Sequence, residues 1–410
     1  MIKIAYGASA TRCSWSRNSA FKTLQHDLHR QRRGRLSPFF SKASIRKLEP
    51  LVSNKVRRLC SRLEQTSGSG AVVSLTHAFV ALTLDIISRV CFGFSYDFLE
   101  ADTYAEQWHR QMDSMTRSAH MTRQFPWLTY LAGYIARFIR PGSSIAVSNK
   151  RQKDLFHQVQ LTINRHTSGE KPPSDAFTVF DSILDSDVPP VEKSRYRLAE
   201  EAQALIGAGS LTTANALETI IYHLLSNEGC LSLLLAELKD AIPELTTIPT
   251  LAEVEKLPYL TAVIYEGLRL SIGVAHRLSR ISPDVAYTYQ GVTIPRGAAV
   301  GMTVLDILEN PGIFPAPDAF IPRRWLPLES PQARQRYQWL QTAFGGGTRI
   351  CLGINLAWAE LYLATACVIR RFGGRMSLYD VVLDRDVKIT VDGFNALPSK
   401  ESKGLRVIIS

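Results

Sequence analysis

The sequence predicts a mainly α fold with a small β region. Three observations carry that reading. Apolar residues recur at three- and four-residue spacing over most of the chain, as in helices with one buried face. Alternation of apolar and polar residues is confined to short stretches after residue 276. Hydrophobic residues make up 45% and charged residues 21%, which excludes a wholly disordered chain.

The elements follow in order. Residues 41–64 form a basic, periodic helix, and residues 71–93 carry Leu75, Phe79, Leu82, Ile86 and Val90 on one face. Residues 102–123 and 145–166 are more polar helices, and TSGEKPPSD at 167–175 is a loop by its Gly, Pro and Ser content. Helices are expected over 196–226 and 229–242. Pro258 opens another that runs to Ser271, since proline suits a first helical turn. From 276 to 325, VAYTYQGVTI and AAVGMTV predict short strands around the Pro295-Arg296-Gly297 turn. Five prolines between Pro311 and Pro327 mark an irregular meander. A last helix covers about 353–372, and VKITV and LRVIIS read as strands. No internal repeat is present.

Lys and Arg number 48 against 37 Asp and Glu, a formal charge of +11. Residues 1–70 hold 15 basic and 3 acidic residues, net +12, and the remainder is net −1. This concentration excludes a uniformly basic coat and hence a nucleic-acid-binding protein of that kind. Cys13, Cys60, Cys91, Cys230, Cys351 and Cys367 form no C-x-x-C pair, so neither a cysteine zinc site nor a disulfide framework is indicated. The most apolar segment, 71–94, is interrupted by His77, Asp85 and Arg89, and no transmembrane anchor is expected. The start, MIKIAYGASATRCSWSR, has no continuous apolar run of the secretory type. Its Ser and Arg content, with no acid before Asp27, weakly resembles a transit peptide.

Residues 344–353 read FGGGTRICLG, so Phe344, Gly347, Arg349, Cys351 and Gly353 fit F-x-x-G-x-R-x-C-x-G. Gly345, Gly346 and Gly347 are expected to take positive-φ turns that bring the backbone close to a flat ligand. Cys351 stands just before a helix, where the dipole and free N–H groups favour a thiolate. Such a thiolate can bind haem iron and push electron density towards dioxygen. Arg349 can pair with a haem propionate, and Phe344 can pack near the cysteine. The same residues also read as a glycine loop before a helix, with a buried structural cysteine.

With these residues in this order, the chain resembles the cytochrome P-450 family, and filamentous-fungal members in particular, over nearly its whole length. The resemblance implies the family fold without its N-terminal anchor, first two helices and first strands. It implies a single haem-thiolate monooxygenase domain over 1–410, with 1–25 a poorly defined remnant. It implies haem b with Cys351 as the axial ligand of the iron. Glu266 and Arg269 match E-x-x-R, and Arg324 in FIPRRWL is implied as the third member of a buried charge network. AGSLTTA at 208–214 matches the distal helix, with Ala208 and Gly209 close to the ligand. Thr212 is expected to bond back to the carbonyl four residues earlier and open the helix for dioxygen and water. Leu211 stands where the family carries an acid, so protons are expected by way of Thr212 and ordered water. His29 and Arg33 in HDLHRQRRGRLSPFFS, and Arg277 in GVAHRLSRISP, are implied propionate partners. Arg323 replaces a Glu and is expected to weaken the local ion network.

The implied partners are an NADPH-dependent reductase, O2 and a small apolar substrate, in fungal secondary metabolism of terpenoid or polyketide type. Family members are usually on the endoplasmic reticulum membrane; the setting of this chain is left open. Leu211 and the late start keep a second reading open, a truncated relative without catalytic activity. Arg30, Arg32 and Arg35 are expected nearer solvent than Arg33, on a basic face that suits an acidic reductase. The rate of reduction, followed by stopped-flow absorbance, should therefore fall steeply with added salt; a salt-independent rate contradicts this docking.

Overall fold

In the computed structural model, which describes residues 5–6, 18–125, 127, 144–170 and 178–410, most long helices begin where a short polar side chain meets a free N–H. Helix α1 is His26–Leu36. Ser41 accepts from the Ser44 N–H and starts α2, Lys42–Glu64. Ser74 does the same for His77 and starts α3, Leu75–Phe92, which Gly93 ends at φ 79°. Helices α4, Glu106–Arg117, and α5, Ala119–Gln124, divide at Ser118. They are followed by α6, Ser144–Thr167, and α7, Val179–Asp185, the latter opened by a Thr178/Asp181 capping box. Ser194 caps α8, a 31-residue helix over Arg195–Leu225. Asn227 caps α9, Glu228–Ala241, and Thr250 caps the short α10, Leu251–Val254. Pro258 is the first residue of α11, Pro258–Ser271. The short α12, Leu305–Leu308, precedes α13, Pro331–Leu340, and the chain's last long helix is α14, Ile354–Phe372.

The strands are short: β1 (Ala5–Tyr6), β2 (Val73–Ser74), β3 (Arg280–Ile281), β4 (Tyr287–Tyr289), β5 (Val292–Ile294), β6 (Ala299–Val300), β7 (Met376–Leu378), β8 (Val391–Gly393), β9 (Asn395–Leu397) and β10 (Arg406–Ile409). Strand β3 lies between β1 and β6, and β10 lies between β2 and β7, all antiparallel. The pairs β4–β5 and β8–β9 are hairpins.

Some sequence expectations shift. Helix α3 buries every side chain except His77 and Arg89, so its apolar surface is not one face but nearly the whole cylinder. By length and composition it could cross a membrane, yet 89% of it is buried inside the protein, where it packs on α8. Its Asp85 carboxylate is held by Lys55 and by the N–H groups of Phe98 and Leu99. The polar helix expected over 102–123 starts later and breaks in two. The β4–β5 turn falls at Gln290-Gly291, both at positive φ as a two-residue hairpin requires. Pro295-Arg296-Gly297 instead joins β5 to β6 of another sheet. AAVGMTV contributes only Ala299–Val300, and VKITV only Val391. Helix α13 was not expected from the periodicity, although Ser330 and Pro331 signal its start.

Of the stretch 1–25, residues 1–4 and 7–17 lie outside the described residues, with Cys13 and most of the transit-like segment; so do residues 171–175 of the expected loop. Residues 18–25 are not a loose remnant. Ser19, Ala20 and Thr23 are buried, and the Ala20 N–H donates to Glu201 of α8 at 2.9 Å.

The core gathers around α8, which packs against α3, α6, α11 and α14. At the α8–α11 crossing a Cβ on Gly267 would stand 2.1 Å from Ile220 Cγ1, so glycine sets the approach of the two helices. His77 and His223 lie in this framework and are both held down to about 4, chiefly by burial. Their folded values are below the unfolded value of about 6.5, so their full contribution is present above that pH. It is lost as the pH falls towards 4, because the unfolded chain takes up protons first. The unfolding free energy measured in urea should fall between pH 7 and about pH 5, by on the order of 1 kcal/mol per histidine. His223→Gln should reduce that fall; an unchanged pH slope contradicts the assignment.

Candidate active site

The site forms where the glycine loop meets the start of α14. Gly345 and Gly347 have φ of 74° and 63°, conformations that favour glycine. Gly346 does not share that need: its φ is −155°, extended backbone open to any residue. The loop closes with the Cys351 N–H donating to the Phe344 carbonyl at 2.7 Å. Gly353 is the N-cap of α14. Phe344 packs on Trp358 with ring centroids 5.7 Å apart, which fixes the loop on the helix. Burial pushes the Cys351 thiol up, while the Gly353 N–H and the Arg33 charge act in the opposite direction. The Cys351 side chain is itself exposed to the space in front of the loop.

Cys351 opens into a cavity of about 520 Å³ between this loop and α8. His29, Arg33 and Arg349 are also on its wall. Arg349 is buried and donates through Nη2 to the Thr23 carbonyl at 2.6 Å. His29 is 3% exposed, and its Nδ1 is buried with no hydrogen-bond partner in the protein. Burial, then the charges of Arg349 and Arg33, hold His29 down to about 4, so it is a neutral imidazole at physiological pH. Arg32, expected nearer solvent, is instead tied to Glu192 at 2.6 Å and to the Asn18 carbonyl. Arg30 and Arg35 are exposed.

Arg277 does not reach the cavity. It is exposed, while Leu278 and Arg280 line the wall. The segment is extended as it enters β3, so side chains alternate between faces, and Leu278 and Arg280 turn inward while Arg277 turns out. Its neighbour His276 bonds to Asp392, outside the cavity lining. The second arginine of H-R-L-S-R was the available signal. Glu360 was also missed in the sequence. It is buried on α14, lines the cavity, and burial pushes its carboxyl well above the usual range against a hydrogen bond from Thr213. A lone acid in the apolar run AWAELYL was its trace.

Helix α8 supplies the opposite wall with Ala208, Gly209 and Thr212. Thr212 Oγ1 donates to the Ala208 carbonyl at 3.0 Å. The helix nonetheless runs unbroken from Arg195 to Leu225, so this bond does not open it. Gly209 answers a packing need as well as lining the cavity. A Cβ there would stand 2.9 Å from Ile87 Cγ1 of α3. Leu211 turns to the core.

Behind the site, Glu266 and Arg269 have no side-chain exposure and pair at 2.8 Å. Arg324 Nε joins at 3.1 Å. Trp325 Nε1 and the Ile321 N–H donate to the same carboxylate, at 2.9 and 3.1 Å. Arg269 also holds the Leu308 and Ala319 carbonyls, at 3.1 Å each. Arg323 is exposed and takes no part, so the replacement at that position leaves the network complete. Successive residues of the 3₁₀ turn Pro322–Trp325 are about 120° apart, so Arg324 and Trp325 reach Glu266 while Arg323 points to solvent.

The donor set suits a flat, dianionic, iron-holding cofactor. It offers one sulfur on one wall, basic groups at one end, a buried unpartnered imidazole nitrogen and an apolar opposite wall.

Residues 9–388 match the family described as cytochrome P450. The chain is 38% identical over 406 residues to the N-acetyltryptophan 6-hydroxylase of Emericella nidulans, covering 97% of this chain and 77% of that protein. It is 38% identical over 421 residues to a cytochrome P450 monooxygenase of Sordaria araneosa, covering 99% and 78%. It is 34% identical over 411 residues to the fusicoccadiene C-8 hydroxylase of Alternaria brassicicola, covering 96% and 75%.

The network makes a sharp contrast between two neighbouring arginines and a third. Arg269→Ala strands a carboxylate that has no access to solvent, and should cost about 3–5 kcal/mol of stability in urea unfolding. Arg323→Ala should stay within about 0.5 kcal/mol. Equal losses in the two variants would show that the buried pairing does not carry the stability.

Proposed function

The chain belongs to the cytochrome P450 family of monooxygenases, and on that premise we propose that it inserts one oxygen atom from O2 into a small apolar substrate held between α8 and the cysteine loop. The observation that supports this most is the cavity itself. It has Cys351 on one wall, His29, Arg33 and Arg349 at one end, and Ala208 and Thr212 across from the cysteine loop. Haem b, when bound, supplies the redox chemistry that activates O2 with two electrons from a redox partner.

The chain's own residues have separate tasks. Cys351 would hold the haem iron through its deprotonated sulfur. Arg349 and Arg33 would neutralise the propionates, and His29 would donate one N–H to them. In this reading Arg280 takes the place first assigned to Arg277. The apolar wall, with Ile87, Trp108 and Met112, excludes water and holds the substrate by burial. The Thr212 hydroxyl spends its proton on the Ala208 carbonyl and leaves its oxygen as an acceptor towards the cavity. With Leu211 in place of an acid, that oxygen positions ordered water, and the water carries protons from solvent.

The substrate belongs to fungal secondary metabolism, of terpenoid or polyketide type. The relatives named for N-acetyltryptophan and fusicoccadiene chemistry span an amphipathic aromatic and a hydrocarbon. Both have apolar bodies that the wall described above could bury. An NADPH-dependent reductase is the electron donor.

The test is turnover of an apolar substrate panel by the haem-loaded chain under oxygen-18-labelled O2. One labelled atom should appear in the product; unlabelled product, or label arriving from water, contradicts monooxygenation. In the same assay Thr212→Ala should lower product formed per NADPH by several-fold, and an unchanged ratio removes Thr212 from proton delivery. Haem titration of the apoprotein should show Arg349→Ala binding roughly ten- to hundredfold more weakly, the scale of a hydrogen bond to a charged group. Unaltered affinity removes Arg349 from the propionate end.

A further inference from the structure

We propose that His120, His276 and Asp392 form a zinc-binding site at the rim of the cavity. The three come from separate elements: the first turn of α5, the segment between α11 and β3, and strand β8. One ligand atom from each lies within 4.8 Å of the others. His276 Nδ1 is 3.0 Å from Asp392 Oδ2, while His120 Nε2 is hydrogen-bonded to the Asp392 main-chain carbonyl and lies 3.8 Å from its Oδ1, so zinc would replace both hydrogen bonds. The two imidazole rings stand 5.6 Å apart at 60° and do not stack.

Zinc at about 2.0–2.1 Å from nitrogen and oxygen ligands in a tetrahedron keeps neighbouring donors roughly 3.3–3.5 Å apart. The two spacings to the carboxylate, one to each oxygen, lie on either side of that value and every donor pair is within 4.8 Å, so side-chain rotation would be needed to close the site. Two imidazoles and one carboxylate suit zinc better than magnesium or calcium, which favour oxygen-only shells. The fourth position faces solvent and takes water. One carboxylate oxygen is already oriented by the Phe394 N–H at 2.9 Å. The side chains of His120 and Asp392 are 46% and 39% exposed, so an ion reaches them without unfolding.

The site joins two walls of the cavity. Thr116 and Ala119 line it from the α4–α5 side, and Gly393 and Phe394 line it from β8–β9. The walls already touch: a Cβ on Gly393 would stand 3.1 Å from the Thr116 carbonyl oxygen. Bound zinc therefore fixes the α4–α5 wall to the hairpin and restrains the rim of the cavity. This inference does not depend on the monooxygenase reading, since it uses no residue assigned to haem.

The test is equilibrium dialysis of the tag-free, metal-stripped full chain against Zn2+. The wild-type chain should bind one equivalent that excess Mg2+ does not displace. His120→Gln and Asp392→Asn should each weaken it at least about tenfold, and the His120→Gln/His276→Gln double variant should lose it. Circular dichroism of each variant confirms folding. Amide exchange at residues 116–120 and 391–395 should slow with Zn2+ in the wild-type chain and not in His120→Gln. Absence of this equivalent, or its survival in the double variant, overturns the proposal and leaves a hydrogen-bonded surface cluster only.

Discussion

The buried carboxylate of Glu266 organises the half of the molecule that carries the cysteine. Five donors meet it: two from Arg269, one each from Arg324 and Trp325, and the Ile321 N–H. A charge in that position is tolerated only if all of these are supplied together. The meander from Leu308 to Trp325 has almost no regular structure of its own, yet it is pinned to α11 by this one group. From Trp325 an aromatic chain continues through Tyr265 at 5.4 Å and Trp358 at 5.5 Å to Phe344 at 5.7 Å. The glycine loop bearing Cys351 thus rests on a packed path that starts at the ion network. The network acts on the site through position and not through its charge.

The opposite wall is built differently. Helix α8 approaches α3 and α11 closely because Gly209 and Gly267 leave room for Ile87 and Ile220. A rigid apolar wall then faces a loop whose shape depends on two glycines and a polar network. The basic residues that line the cavity come from segments distant in sequence: Arg33 on α1, Arg280 on β3 and Arg349 in the loop. Residues 18–25 tie that loop to α8, since Thr23 accepts from Arg349 and the Ala20 N–H donates to Glu201. The basic excess at the front of the sequence is consumed in part here. Arg33 borders the cavity and Arg32 is ion-paired, which leaves Arg30 and Arg35 as the exposed arginines of α1.

Much of the helical frame was legible in the sequence, because periodicity and capping residues are local signals. Helices α8, α9, α11 and α14 fall within a residue or so of their expected limits. The pairing of Glu266 with Arg269 and Arg324 was implied by the family resemblance, and the structure brings all three together. What was not legible depends on distant partners. Alternation alone could not say that the Pro-Arg-Gly turn joins two sheets, because pairing is set by strands elsewhere. Arg277 and Arg280 are two arginines of one extended segment, and only the register of β3 decides which faces the cavity. Gly209 lines the cavity and also makes room for Ile87, a partner distant in sequence. Glu360 and the His120–His276–Asp392 cluster carry no local pattern; they exist only after folding.

The central claim is that Cys351 is the sulfur ligand of a haem held in this cavity. The reduced, CO-bound spectrum of the haem-loaded chain tests it most directly. The wild-type chain should show the absorption band diagnostic of thiolate-ligated haem, and Cys351→Ala, folded by circular dichroism, should not. A well-folded wild-type chain without that band, or a variant that keeps it, would contradict the claim.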